Sequence, residues 1–353
     1  MSFGSAQEVN VKCRAMYARL LDRSEYNTLL QIRSVSQIAD YLKKQTPYAY
    51  VLRRIDKNDV HRGQLEQVFK RSLFYDYERL LKFTTGGYRE AIRAMFESFE
   101  VEDLKHIIGS VCSAQKQALT LTDLTYMRTY SEFPISSLLE ADTMEDLVAN
   151  LVHTRYYKAL LPFAVREDPD FFKIDHALNL LNYTSKLVAF RQALSGAGRR
   201  IATSLYRTQV DIENILFIYR IKKLYHFTAS EILVNLLPNA YKLSNHDLLR
   251  MAECEGIDEL TDAISRTEYG PLFPKGRESE WETLHAEHFY WIHKKNLRTH
   301  SGDIGVVLAY LYLKEIDVKN IIMIIEGVRY QLPTERIASF LIGSVSAPNT
   351  SVA

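Results

Sequence analysis

The chain has 353 residues, 44 of them basic and 43 acidic, for a formal charge of +1, with 47% hydrophobic and 25% charged residues. That composition excludes a disordered chain, and the charge balance lacks the cationic excess of a dedicated nucleic-acid binder. Glycine and proline are sparse at 14 and 9, and 3.6-residue periodicity outweighs strict alternation, so the expected fold is all-α.

The N-terminal stretch MSFGSAQEVNVKCR has no apolar core of the kind a signal peptide needs. Cys13, Cys112 and Cys254 are odd in number and widely spaced, as free thiols in a reducing compartment are. Val11–Leu21 reads as the tail of a helical unit. Next comes the pair Leu29 and Leu30, then the triad Val35, Ile38 and Leu42 at i, i+3 and i+7, then Thr46 and Tyr48, then Val51 and Leu52. Ala91, Met95 and Phe96 lead into EVEDLKHIIG, Glu100 to Gly109.

The same sentence is then written again. Leu138 and Leu139 precede Met144, Leu147 and Leu151, Thr154 and Tyr156, and Leu160 and Leu161. The stretch SGAGRR, Ser195 to Arg200, approaches a phosphate loop but lacks its third glycine and lysine, and no strand precedes it. It reads as a surface loop between helices, offering Arg199, Arg200 and Arg207 to a partner. DIENILFIYR follows, Asp211 to Arg220, with Ile212, Ile215, Leu216 and Tyr219 on one helix face.

A third copy has Leu248 and Leu249, then Ile257, Leu260 and Ile264, Thr267 and Tyr269, and Leu272 and Phe273. In ETLHAEHFYWIH, Glu282, His285 and His288 fall at i, i+3 and i+6, with His293 beyond. A di-iron site needs a second Glu-x-x-His pair and two more carboxylates, so a solvated, partly stacked helix face is the expected reading. Val307, Tyr310 and Leu311 lead into DVKNIIMIIE, Asp317 to Glu326, and Leu332–Ile342 begins another unit. The longest apolar runs, Ile304–Leu313 and Ile321–Ile325, fall short of the ~20 residues that cross a bilayer.

The copies recur at about 110 residues, and internal repetition at a fixed period is read before any site. Their apolar stripes are expected to be core. Each Thr-x-Tyr, close to Pro47, Pro162 or Pro271, is expected to be a helix end turning into the next helix. The acidic and amide residues of the quoted element either cap a helix or form the wet face of a longer one, and the apolar periodicity before them favours the longer helix.

The expected organisation is three similar helical lobes at 1–115, 116–225 and 226–353, with the termini pairing across lobes in a closed pseudo-threefold body. No nucleophile elbow, persuasive cysteine–histidine pair or ligand set marks an enzyme. No catalytic residue, cofactor or metal is therefore expected. Two competing classes are an all-helical scaffold and a metal-dependent helical enzyme, which would need the Glu282, His285 and His288 cluster.

The repeat, the elements DIENILFIYR and YLKEIDVKNIIMIIEGVRYQLPTERI, and the Thr-x-Tyr turns together resemble the C subunit of V-type and A-type rotary ATPases, whose eukaryotic counterpart is the d subunit, from about Val11 to Ile342. The resemblance implies a funnel of three helical domains, non-catalytic, in the central stalk on the cytoplasmic face of the membrane. Its implied partners are the shaft subunits of the ATP-hydrolysing head and the membrane rotor ring, with torque coupled to proton or sodium transport. No contact residue follows from the family.

Overall fold

The computed structural model describes residues 6–53, 62–113, 119–121, 123–130, 133–165, 170–225, 227–299 and 303–343. The first five residues of the stretch read against a signal peptide lie outside them. Among the described residues all regular structure is helical.

In chain order the helices are α1 (Ala6–Tyr17), α2 (Arg23–Gln31), α3 (Val35–Gln45), α4 (Ala49–Leu52), α5 (Arg62–Phe83), α6 (Gly86–Phe96), α7 (Ser98–Cys112), α8 (Met127–Tyr130), α9 (Ile135–Leu139), α10 (Met144–Ala149), α11 (Tyr157–Ala164), α12 (Phe171–Ala193) and α13 (Gly196–Leu224). They continue with α14 (Ala229–Val234), α15 (Asn245–Glu253), α16 (Ile257–Ser265), α17 (Trp281–Thr299), α18 (Gly305–Arg329) and α19 (Thr334–Phe340). Two compact units form from these. One joins Met1–Thr84 with Thr261–Ala353, and the other is Thr85–Leu260.

The Thr-x-Tyr turn has one chemistry in all three copies. The Thr46 hydroxyl donates to the Leu42 carbonyl at 2.7 Å and accepts from the Tyr48 amide at 3.2 Å. Thr154 does the same between Leu151 and Tyr156, and Thr267 between Ile264 and Tyr269. The hydroxyl ties a carbonyl near the helix end to the amide two residues further on, turning the chain into the next segment.

A second shared turn opens the long helices. Thr85 and Ser195 both sit at φ −133° and ψ 169°, and the glycine after each, Gly86 or Gly196, takes a positive φ of 56° or 51°. Only glycine adopts that left-handed corner cheaply.

The acidic elements fall within these helices, but two expectations change. DIENILFIYR and DVKNIIMIIE lie inside single long helices, α13 and α18, whereas EVEDLKHIIG lies in α7, separated from α6 by a break at Glu97. There the Ser98 hydroxyl bonds back to the Met95 carbonyl at 2.7 Å, an arrangement that bends helices. The wet-face reading holds for Glu102, which is exposed, and in part for Glu213 and Glu326, which are half-buried, but not for the other acidic and amide residues of these elements. Glu100, Asp103, Asp211, Asn214, Asp317 and Asn320 are all buried.

The cores of the two units correspond position for position. In one, Leu29, Ile38, Leu42, Tyr48, Leu52, Leu65 and Phe69 close over Val318, Ile321, Ile324 and Ile325 of α18. In the other, Leu138, Leu147, Leu151, Tyr156, Leu160, Ile174 and Leu178 close over Val101, Leu104, Ile107 and Ile108 of α7. Each such side chain contributes about 1.5–3 kcal/mol on burial. The first core draws on both ends of the chain, with α18 packing against α1 and α5, and α19 against α2.

Candidate functional site

The molecule's distinctive chemistry is a set of polar side chains buried on the repeated helices. Each copy carries one acidic residue and, three residues later, an Asp or Asn. At i and i+3 the two share a helix face.

The second residue of each pair clasps chain 22 to 24 residues downstream. Asp103 accepts from the amides of Thr125, Tyr126 and Met127 at 2.7–3.0 Å. Asn214 holds Leu237 through both amide and carbonyl, at 2.8 and 2.9 Å. Asn320 holds Ile342 the same way, at 3.0 and 2.8 Å. An amide side chain that donates and accepts at once fixes a backbone segment in register.

The first residue differs by copy. Glu100 accepts from the Tyr156 hydroxyl at 2.7 Å, and Arg155 lies 4.9 Å over the Tyr156 ring while pairing with Glu97 at 2.6 Å. Burial pushes the Glu100 carboxyl up, opposed by Tyr156 and Arg155. Asp211 accepts from the amides of Tyr241, Lys242 and Leu243 at 2.7–3.2 Å.

Asp317 accepts from the hydroxyls of Tyr26 and Tyr48, both at 2.5 Å, and from the Leu21 amide at 3.5 Å. One turn earlier, Lys314 donates to the Tyr48 hydroxyl at 2.7 Å, lies 4.0 Å over the Tyr48 ring and sits 3.9 Å from Asp76. Asp76 accepts from Tyr310 at 2.5 Å. Burial pushes the Asp317 carboxyl up and the Lys314 ammonium down, and each opposes the other's shift. A cavity of about 20 Å³ beside Lys314, Asp76 and Tyr310 has room for about one water and no substrate. This network binds α18 to the N-terminal segment, in contacts up to 296 residues apart in sequence.

Sequence reasoning missed Tyr26, Asp76 and Lys314, which occur once and leave no periodic signal. Asp103, Asn214 and Asn320 did leave one, a polar residue at the same place in each copy.

The three candidate arginines do not lie in a loop. SGAGRR is the start of α13, with Arg199 and Arg200 on its first turn, both exposed. The helix begins at Gly196 because the Ser195–Gly196 corner turns the chain directly into it. Arg199 Nε donates to the Leu194 carbonyl at 2.6 Å. Arg207 lies two turns on, with Nε donating to the Asn239 carbonyl at 3.0 Å, Nη2 donating to the Ala240 carbonyl, and the guanidinium 5.1 Å over the Tyr241 ring. Arg207, Asp211 and Asn214, at i, i+4 and i+7, thus grip one loop of their own unit, and the structure does not bring Arg207 together with Arg199 and Arg200.

The histidine stretch is not a solvated face throughout. Glu282 is exposed, His285 and His288 are half-buried, and His293 is buried with its ring 4.4 Å from that of Tyr312. His285 faces the Trp281 carbonyl at 3.1 Å. Among the described residues no group of three His, Cys, Asp or Glu side chains is placed to hold a metal ion. Burial pushes the Cys13 thiol up to about 12, which keeps it protonated and unreactive. No helix among the described residues is long and apolar enough to cross a membrane.

Residues 9–340 match the family described as ATP synthase (C/AC39) subunit. Relatives named as the C subunit of an A-type ATP synthase include that of Methanosphaera stadtmanae, 24% identical over 94% of this chain and 86% of its own length. That of Methanosarcina mazei is also 24% identical, over 94% of this chain and 91% of its own. The Thermococcus kodakarensis protein is 23% identical over 96% of this chain and 90% of its own.

Proposed function

The chain belongs to the ATP synthase (C/AC39) subunit family, and from that premise we propose that it is a central-stalk coupler of a V/A-type rotary ATPase. It is a structural subunit of rotary ion-transport machinery, not a catalytic one. In this reading it sits peripherally on the cytoplasmic face of the membrane, receives the shaft of the ATP-hydrolysing head, and passes torque to the rotor ring for proton or sodium transport. Three similar lobes, near 1–115, 116–225 and 226–353 with the chain ends crossing between the first and last, form the funnel.

The observation that carries the reading is the family match over nearly the whole chain. The buried anchors support it, because torque transfer needs a body stiff against twisting. Close-packed helices clamped by internal hydrogen bonds transmit strain rather than absorbing it. Arg199 and Arg200, exposed on α13, are the proposed partner-facing charges; Arg207, the third of the set, serves its own loop.

The test is reconstitution of the ATPase complex in vesicles with and without this chain. With it, ATP hydrolysis drives ion uptake. Without it, hydrolysis by the head continues while uptake stops; uptake that survives its removal refutes the coupler role. Arg199→Glu with Arg200→Glu is expected to weaken assembly, and an intact, fully coupled complex would remove those two residues from the interface.

A further inference from the structure

The histidine-rich stretch of α17 carries a second surface of different chemistry. Phe289, His293 and Leu297 are buried at i, i+4 and i+8, while Trp291, Lys295 and Arg298 stand exposed at i, i+4 and i+7, one stripe along the helix. Trp291 is 55% exposed. Lys294 lies beside the stripe, 5.0 Å over the Tyr17 ring and 5.6 Å over that of Tyr290.

From His288 to Thr299 the helix contains no carboxylate. Elsewhere exposed lysines are neutralised on their own helices: Lys70 by Glu66, Lys82 by Glu78, Lys319 by Glu315. Among the described residues, Lys295 and Arg298 have no acidic partner. In a chain of net charge +1, three cations within five residues are a local excess. The helix dipole accounts for a cation in the last turn, Arg298, but not for an exposed indole about two turns away.

We propose that this face of α17 contacts the anionic phosphate headgroup layer of a membrane. Long basic side chains reach phosphates, and an indole with an apolar body and one N–H donor settles at headgroup depth. The outer face of one helix is convex, which suits a plane of phosphates better than it encloses a partner helix. The choice of occupant rests on the reading that the chain works in a membrane-bound motor. The test below uses neither shaft nor ring, so its failure is distinguishable from failure of that reading.

The full chain is sedimented with phosphatidylcholine vesicles with or without phosphatidylglycerol. Binding is expected to the anionic vesicles at low salt, to fall as salt screens the charges, and to be absent from neutral ones. Lys295→Gln with Arg298→Gln is expected to weaken binding about 25-fold, at roughly fivefold per basic side chain, with circular dichroism unchanged. Trp291→Ala weakens it further, and Arg199→Gln with Arg200→Gln leaves it intact. No binding to anionic vesicles at low salt, equal binding to neutral ones, or equal loss in the α13 double variant would overturn the assignment.

Discussion

Asp317 is a carboxylate in a space nearly without water, and the groups around it decide what its removal costs. Asp317→Ala leaves two buried tyrosine hydroxyls without their carboxylate acceptor and Lys314 with Asp76, 3.9 Å away, as its remaining counter-charge. Breaking such a pair costs about 3–5 kcal/mol, and Tyr48→Phe, which leaves Asp317 two donors, about 1–2 kcal/mol. Denaturant unfolding of the two variants measures both. His293 makes a pH prediction. Burial lowers its imidazole from 6.5 to about 3, so below pH ~6.5 the unfolded chain takes a proton that the folded chain refuses. Stability therefore falls with pH by about 1.4 kcal/mol per unit across that window. His293→Phe keeps a ring against Tyr312 and abolishes this contribution: between pH 6.5 and 5 the variant should lose about 2 kcal/mol less than the parent in unfolding experiments.

At the scale of elements, the left-handed glycines that open α6 and α13, Gly86 and Gly196, are alike, while Gly87, which follows the first, has a separate packing role. Gly196 has φ +51° and open space where a methyl would go, so Gly196→Ala meets only backbone strain, ~1 kcal/mol. A methyl on Gly87, whose helix packs against α12, would fall on the Ala193 carbonyl oxygen. Helix against helix backbone cannot give way as a side-chain tip can. Gly87→Ala is therefore expected to cost more than Gly196→Ala, about 3 kcal/mol, with unfolding midpoints as the readout. The same packing explains why Thr-x-Tyr is legible as a turn and TTGG is not. The threonine turn repeats three times among the described residues, whereas the glycine corner stands out in the sequence only as SGAGRR, where it invites comparison with phosphate loops.

For the whole molecule, the two cores predict how the chain can be divided. One core lies entirely within residues 85–260, so that segment alone should unfold cooperatively. The other needs both chain ends, so 1–84 and 261–353 should each be unfolded alone and gain helix when mixed; circular dichroism of the three fragments decides. The sequence by itself determined the helical class, the period, the apolar faces and the Thr-x-Tyr turns, because periodicity and local hydrogen bonding are written in neighbouring residues. Only the tertiary structure decided that Glu100, Asp211 and Asp317 are buried anchors, that Arg207 holds its own loop, and that Lys314 meets Asp76 and Tyr48. An acidic residue among apolar ones reads as solvated until a donor from distant sequence is brought to it, and that donor arrives only when the chain folds.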